Sequence, residues 1–193
     1  MNFIKTHIEG VFIIEPQIFE DSRGYFFEAY NQVEFDNNIR PIHFVQDNES
    51  KSSYGVLRGV HFQSGTHAQS KLARVVKGRV YDVAVDVRIG SPTFGKYIGV
   101  ELSDENHRML FIPKGFAHGF SVLSDEAIFQ YKVDNFYCPN SERAFAWNDK
   151  EININWHLPI EDIKVLDKDN HYPLLKDVAD LFDYHIDLYS NGR

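Results

Sequence analysis

Between Val80 and Val87 the chain alternates without interruption. Tyr81, Val83, Val85 and Val87 share one face of an extended segment, and Val80, Asp82, Ala84 and Asp86 share the other. A two-residue period is the signature of a strand and is incompatible with a helix, whose period is 3.6. The same pattern returns where Ala127, Phe129, Tyr131 and Val133 alternate with Glu126, Ile128, Gln130 and Lys132. Shorter strand-like runs occupy 72–76, 97–102, 109–112, 116–123 and 144–147, separated by Gly, Pro, Asn and Asp. Many short strands broken by turn residues at intervals of about ten predict a mainly β chain, built as a sandwich or barrel. Lys77-Gly78 reads as a hairpin turn between the run Leu72–Val76 and the alternating segment. Helical periodicity is confined to two places. One is a short stretch over 32–37. The other follows Pro173, where Leu174, Leu175, Val178, Leu181 and Phe182 recur at helical spacing and predict a helix near the C-terminus. No linker, repeat or low-complexity tract divides the 193 residues, so one domain is expected. Its core covers about 10–170, with a C-terminal helix and tail over 171–193 whose last ten residues are loosely held.

Composition narrows the class of function. The 20 Lys and Arg are outnumbered by 28 acidic residues, for a formal charge of −8, the opposite of what nucleic-acid binding asks for. No apolar run approaches the roughly 18 residues of a membrane-spanning helix. The N-terminal MNFIKTHIEGVFIIEPQ lacks the continuous apolar stretch of a secretory leader, so a cytoplasmic location is expected. A single cysteine, Cys138, excludes an intrachain disulfide and any multi-thiolate zinc site, and reads as a free thiol. Aromatic residues are plentiful at 15%, suited both to half-buried sheet surfaces and to pockets that stack planar ligands.

Signatures of nucleotide-fold, P-loop, serine hydrolase and zincin sites are absent. Polar residues crowd instead into Asp21–Glu28, Gln46–Ser50, GVLRGVHFQ at 55–63 with Ala68–Leu72 after it, IPKGFAHGF at 112–120, and Tyr131–Glu142. His61 and His118 lie in otherwise apolar, strand-like sequence; taken singly, each reads as a hydrogen-bonded core histidine. Arg58 and Lys71 are harder to place that way. Cations in barrel strands need partners, and two together point to an interior that receives an anion. Arg23 and Lys168 read, from sequence, as surface charge. Arg58 and His61 have opposite parity on a regular strand. Either Gly59 allows a bulge that re-aims one of them, or the strand ends and Arg58 reaches inward from a rim.

The P-x-G-x-x-H spacing of Pro113, Gly115 and His118 resembles the second motif of cupins, small double-sheet β-barrels. Metal-binding cupins supply an H-x-H pair in their first motif. The matching stretch here is His61-Phe62-Gln63, without the second histidine, which argues against a metal site.

Taken in order, GVLRGVHFQ, HAQSKL, VYDVAVDVRIGSPTFG, LS-x-x-N, IPKGFAHGF, Tyr131, Tyr137 and WND resemble the dTDP-4-dehydrorhamnose 3,5-epimerase family, from about Phe19 to about Asp169. The resemblance implies a double-sheet jelly-roll (cupin) barrel with a few short helices, free of metal and cofactor and usually a homodimer. It implies epimerisation of dTDP-4-dehydro-6-deoxy-D-glucose at C3 and C5 to dTDP-4-dehydro-L-rhamnose. By motif, His61 corresponds to the general base, Asp169 to its carboxylate partner, Tyr131 to the general acid on the opposite face of the sugar, and Lys71 to the group beside the C4 oxygen. Arg23, Glu28, Gln46, Asn48, Arg58, His118, Glu142 and Lys168 match substrate contacts, and Tyr137 matches the residue that stacks on thymine. Phe62, Thr66, Ser70 and Asp167 depart from the family's usual residues without removing a proposed catalytic group.

These residue types suit the reaction. A proton on carbon beside a ketone is weakly acidic, and its removal leaves an enolate with charge on the former carbonyl oxygen. The chemistry needs a base of near-neutral pKa, a carboxylate to orient it, fixed positive charge at the oxygen, and a proton donor on the other face. A mono-epimerase, or an epimerase of another nucleotide-linked 4-keto sugar, would share the same residues. A metal-dependent cupin or a non-catalytic binding protein would need, respectively, the missing ligands or no acid–base set.

Overall fold

The structure is a computed structural model that describes residues 1–190. Its strands run in chain order as β1 (Asn2–Lys5), β2 (Phe12–Glu15), β3 (Phe19–Asp21), β4 (Gly24–Phe26), β5 (Gln46–Ser53), β6 (Leu57–Gln63), β7 (Lys71–Lys77) and β8 (Arg79–Asp86). They continue as β9 (Arg88–Ile89), β10 (Tyr97–Ser103), β11 (Met109–Ile112), β12 (Phe116–Val122), β13 (Glu126–Val133), β14 (Glu142–Ala144) and β15 (Phe182–Asp183). A six-stranded sheet has the order β1-β2-β11-β7-β13-β5, and a five-stranded sheet the order β10-β8-β12-β6-β14. Neighbours within both sheets are antiparallel. The two sheets pack face to face, the double-sheet architecture expected from the spacing of short strands.

Strand β8 shows how the pattern becomes a fold. Val80 and Ala84 point into the core between the sheets, with Leu102, Phe120, Val122 and Phe129. The opposite face, Val83, Val85 and Val87, is buried beneath a second layer of Phe145, Trp156, Leu175 and Phe182 from the chain that follows the barrel. Both faces carry apolar residues because both are covered, and the two acids on the inner one, Asp82 and Asp86, are buried with them. Full burial of each such side chain stabilises the fold by roughly 1.5–3 kcal/mol.

The turn before β8 departs from expectation. Lys77-Gly78 does not close a hairpin: β7 belongs to the six-stranded sheet and β8 to the five-stranded one. Gly78, at φ +79°, turns the chain across the barrel, and a Cβ there would lie 2.0 Å from the Glu126 carbonyl oxygen. A hairpin would have kept β8 beside β7. The cover available on both faces of the second sheet draws it away.

The helix expected over 32–37 forms as α1 (Gln32–Asn38), capped by Asn31, whose side chain accepts from the Val33 and Glu34 N–H groups, and anchored by buried Phe35. The helix expected after Pro173 does not form. That stretch makes one 3₁₀ turn at Leu175–Asp177, passes through Asp180 at φ +58°, and ends in β15, paired parallel with β9. The Asp149 carboxylate accepts the Leu175 N–H, and Leu175 and Phe182 pack on the outer face of β8. The apolar residues are satisfied by lying across a sheet, and tertiary packing overrides the helical period. The tail is not loose either: Tyr184 N–H donates to the Ile89 carbonyl, and Tyr184 Oη donates to Glu9. Residues 191–193 of that expected tail lie outside the described residues. Among the described residues, no helix is long and apolar enough to cross a membrane.

Candidate active site

A cavity of about 640 Å³ lies between the sheets, lined by Asn48, Arg58, His61, Lys71, His118, Phe120, Tyr131, Lys168 and Asp169, with Glu49, Ser50 and Lys164 among the remaining residues. The five-stranded sheet contributes Arg58 and His61 from β6 and His118 from β12. The six-stranded sheet contributes Asn48 from β5, Lys71 from β7 and Tyr131 from β13. The imidazoles therefore stand on one wall, and the phenol and the ammonium on the other. Asp169 and Lys168 enter from a 3₁₀ turn, Asp167–Asn170, beyond the barrel strands.

Arg58 and His61 reach the same cavity because β6 is bulged. His61 pairs with His118 and Arg58 with Phe120, so three steps on β6 oppose two on β12. Gly59 takes up the difference at φ +135°, and a Cβ on it would sit 2.5 Å from the Gly119 Cα. Of the two possibilities left by parity, the structure shows the bulge.

Two histidine–carboxylate pairs result. His118 Nε2 lies 2.7 Å from Asp82 Oδ1, with side chains 7% and 0% exposed. His61 Nε2 lies 3.4 Å from Asp169 Oδ1, and its side chain is 27% exposed. Neither of these last two atoms has a hydrogen-bond partner, although both are buried. Burial pushes the His61 imidazole below the ordinary histidine value, against the pull of Asp169 and Glu142, so the ring is neutral at neutral pH. Burial lowers His118 in the same way, against Asp82.

Across the cavity, burial lowers the Lys71 ammonium to about 8, with Asp82 and Glu142 opposing the shift. Lys71 Nζ lies 5.7 Å from the centre of the Tyr131 ring. Burial raises the Tyr131 phenol, which stays protonated over the physiological range. Phe120 stacks on Phe129 at 4.2 Å between centroids, and Phe129 packs against both His118 and Tyr131. This aromatic layer fixes the two polar rings and keeps the local dielectric low.

At the rim, Tyr137 Oη donates to Glu142 at 3.0 Å, and Lys168 Nζ donates to the same carboxylate at 3.2 Å. Tyr137 is 54% exposed, a free aromatic surface. Arg58 Nε donates to Ser52 Oγ at 3.1 Å, and Gln46 donates to Asn48 Oδ1 at 2.7 Å, so Gln46 holds a lining residue and does not line the cavity. Arg23 and Glu28 are not brought to this cavity by their own chain. Arg23 pairs with Asp21 on the β3–β4 hairpin, and Glu28 accepts from Asn31. Sequence reasoning did not single out Asp82 or Tyr172. Asp82 carried a signal, an acid on the same strand face as Val80 and Ala84. Tyr172 carried none, yet its ring packs edge-on against His61 at 5.6 Å. Among the described residues, no three His, Cys, Asp or Glu side chains are grouped to hold a metal ion.

Two antiparallel sheets closed around a polar cavity, with paired histidines on one wall, define a jelly-roll barrel of the cupin type. The family model for dTDP-4-dehydrorhamnose 3,5-epimerase matches residues 5–177. The chain is 56% identical over 170 residues to a dTDP-4-dehydrorhamnose 3,5-epimerase of Shigella flexneri, covering 88% of this chain and 93% of that one. It superposes with TM-score 0.92 and 45% identity on a dTDP-6-deoxy-D-glucose-3,5-epimerase of Legionella pneumophila in complex with dTDP-4-keto-L-rhamnose, over 96% and 99% of the two chains. A 3'-monoepimerase of Streptomyces bikiniensis in complex with dTDP-quinovose aligns with TM-score 0.83 and 32% identity, over 90% and 87%. The chain belongs to the dTDP-4-dehydrorhamnose 3,5-epimerase family.

Proposed function

We propose that the protein epimerises dTDP-4-dehydro-6-deoxy-D-glucose at C3 and C5, giving dTDP-4-dehydro-L-rhamnose. The observation that carries this reading is the confrontation, across one cavity, of His61 on one sheet with Tyr131 and Lys71 on the other. The neutral His61 takes the proton from the carbon beside the C4 ketone. Its Nε2 edge is buried against Asp169, which leaves the ring's other nitrogen for the substrate and gives Asp169 the task of orienting the ring and stabilising the imidazolium. The Lys71 ammonium faces the negative charge that gathers on the C4 oxygen in the enolate. The protonated Tyr131 returns a proton from the opposite side, and inversion results. No step draws on a metal or an organic cofactor.

Arg58 and Lys168 supply positive charge for the diphosphate, and Tyr137 supplies a flat surface for thymine. His118 and Asn48 contact the sugar, and Gln46 and Glu142 hold Asn48 and Lys168 in place. A homodimer belongs to this reading. The β3–β4 hairpin pairs with neither large sheet and exposes Phe19, Tyr25 and Phe26, and the partner's copy of this segment is the proposed route by which Arg23 and Glu28 meet the substrate. A cytoplasmic location is in keeping with the free thiol of Cys138.

The test is solvent-deuterium incorporation into the dTDP-linked keto sugar, with and without chelator. Exchange at C3 and C5 that survives chelation and disappears in His61→Ala is expected. A protein that exchanges neither proton is not this epimerase. Likeness to the monoepimerase keeps a single-carbon specificity in view, and product stereochemistry by NMR separates the two.

A further inference from the structure

The strands that carry Lys71, His118 and Tyr131 come together at one junction, and the C-terminal segment is pinned into it. The Tyr189 hydroxyl lies 2.7 Å from Ser70 Oγ and accepts the Lys114 N–H at 3.0 Å. Ser70 is fully buried, and its N–H donates to Asp134 Oδ1 at 2.6 Å. Lys114 Nζ closes the circuit, 3.5 Å from Asp134 Oδ2. Each member adjoins a strand of the site. Ser70 immediately precedes Lys71 at the start of β7, Asp134 follows the end of β13, and Lys114 leads into β12. The Tyr189 ring is itself gripped, with the Arg40 guanidinium 3.6 Å and Lys114 Nζ 4.9 Å from its centroid.

We propose that Tyr189 is a positioning residue for the epimerisation: through its bond to Ser70 it fixes the start of β7, and with it the placement of Lys71 in the cavity. This rests on the reading of the cavity as an epimerase site. Tyr189 does not line that cavity, so whatever it does for the reaction passes through the junction. Ser70 is fully enclosed, and without the phenol its hydroxyl is left with the Asp134 carboxylate as its one partner and is drawn toward it. A shift there is inherited by the next residue. Lys71 meets charge that develops only as the enolate forms, so its displacement shows in kcat and leaves KM largely alone.

The experiment compares wild-type protein, Tyr189→Phe, Ser70→Ala and the double variant. The Phe variant keeps the ring between Arg40 and Lys114 and removes only the hydroxyl. Ser70→Ala breaks the same bond from the other side, and serves if the Phe variant does not fold. The readouts are kcat and KM on the dTDP-linked keto sugar, deuterium wash-in at C3 and C5, and the thermal midpoint. A fall in kcat of about tenfold or more, with KM changed less than about twofold, is expected for each single variant. The losses are expected to fall well short of multiplying in the double variant, because both substitutions remove the Tyr189–Ser70 bond, while Tyr189→Phe alone also frees the Lys114 N–H. Unchanged kcat in a folded single variant overturns the inference, as do losses that multiply in the double variant. Wild-type protein that exchanges neither proton refutes the epimerase reading and this inference together; active wild type with unimpaired variants refutes this inference alone.

Discussion

The two histidine–carboxylate pairs use the same groups to different ends. His118 and Asp82 stand on adjacent, hydrogen-bonded strands of one sheet, 2.7 Å apart and almost fully enclosed. His61 is on a bulged strand, and its partner Asp169 comes from a one-turn segment some hundred residues later, 3.4 Å away. A tight pair inside a regular ladder has a fixed geometry and little freedom to exchange a proton. A looser pair, open on one side and unpartnered at the facing atoms, can accept a proton and answer it with a shortened contact. Regular pairing builds the structural member, and irregular backbone builds the reactive one.

The comparison makes its largest claim about His61. His61→Ala should lower kcat by about 10³-fold or more, with deuterium exchange lost at both carbons; exchange surviving in that variant would transfer the base role to the other pair. Asp169→Asn should cost about 10²-fold or more in kcat at little cost in folding, since it disturbs the orientation of the ring and stabilisation of the imidazolium. Tyr131→Phe should keep exchange while losing inverted product, a split that NMR of the sugar protons reads directly. Asp82→Asn should reverse the balance, with a loss in kcat of less than about tenfold and a loss in chemical-denaturation stability of about 1–3 kcal/mol, because a buried pair is broken. The pH dependence sets the subtlest test. His61 must be neutral to act, and burial lowers its pKa, so the acid limb of kcat/KM should fall below 6.5. Lys71 must be charged, so the alkaline limb should fall near 8 and move to higher pH in Lys71→Arg. Stability should follow its own course. His118 is lowered by burial, so the unfolded chain takes up protons that the folded chain refuses, and stability present above about 6.5 is lost as pH falls below it.

Much of this was legible in the residues. The alternation over 80–87 places Asp82 and Ala84 on one face and Val83 and Val85 on the other, and the structure buries the two sets in separate layers. The strands at 97–102, 109–112 and 116–123 fall within a residue or so of those expected. What escaped was governed by tertiary contact. Lys77-Gly78 has the chemistry of a hairpin turn, but no local signal says that β8 finds its partners in the other sheet. The stretch after Pro173 has a helix's spacing, yet its apolar residues face a sheet that accepts them without a helix. In the site, parity put Arg58 and His61 on opposite faces, and only the register against β12 resolves it. Tyr172 is invisible beforehand because its contact with His61 depends on where an irregular segment comes to rest.

The glycine bulge on β6 makes backbone conformation as binding a constraint as side-chain identity. A conservative replacement along that strand alters one contact, whereas a side chain at Gly59, where φ is +135° and a Cβ would meet the Gly119 Cα, opposes the bulge; straightened at its present length, the strand would turn either Arg58 or His61 out of the lumen. Replacements of Gly59 should therefore be absent from any functional variant library, even where substitutions on either side are tolerated.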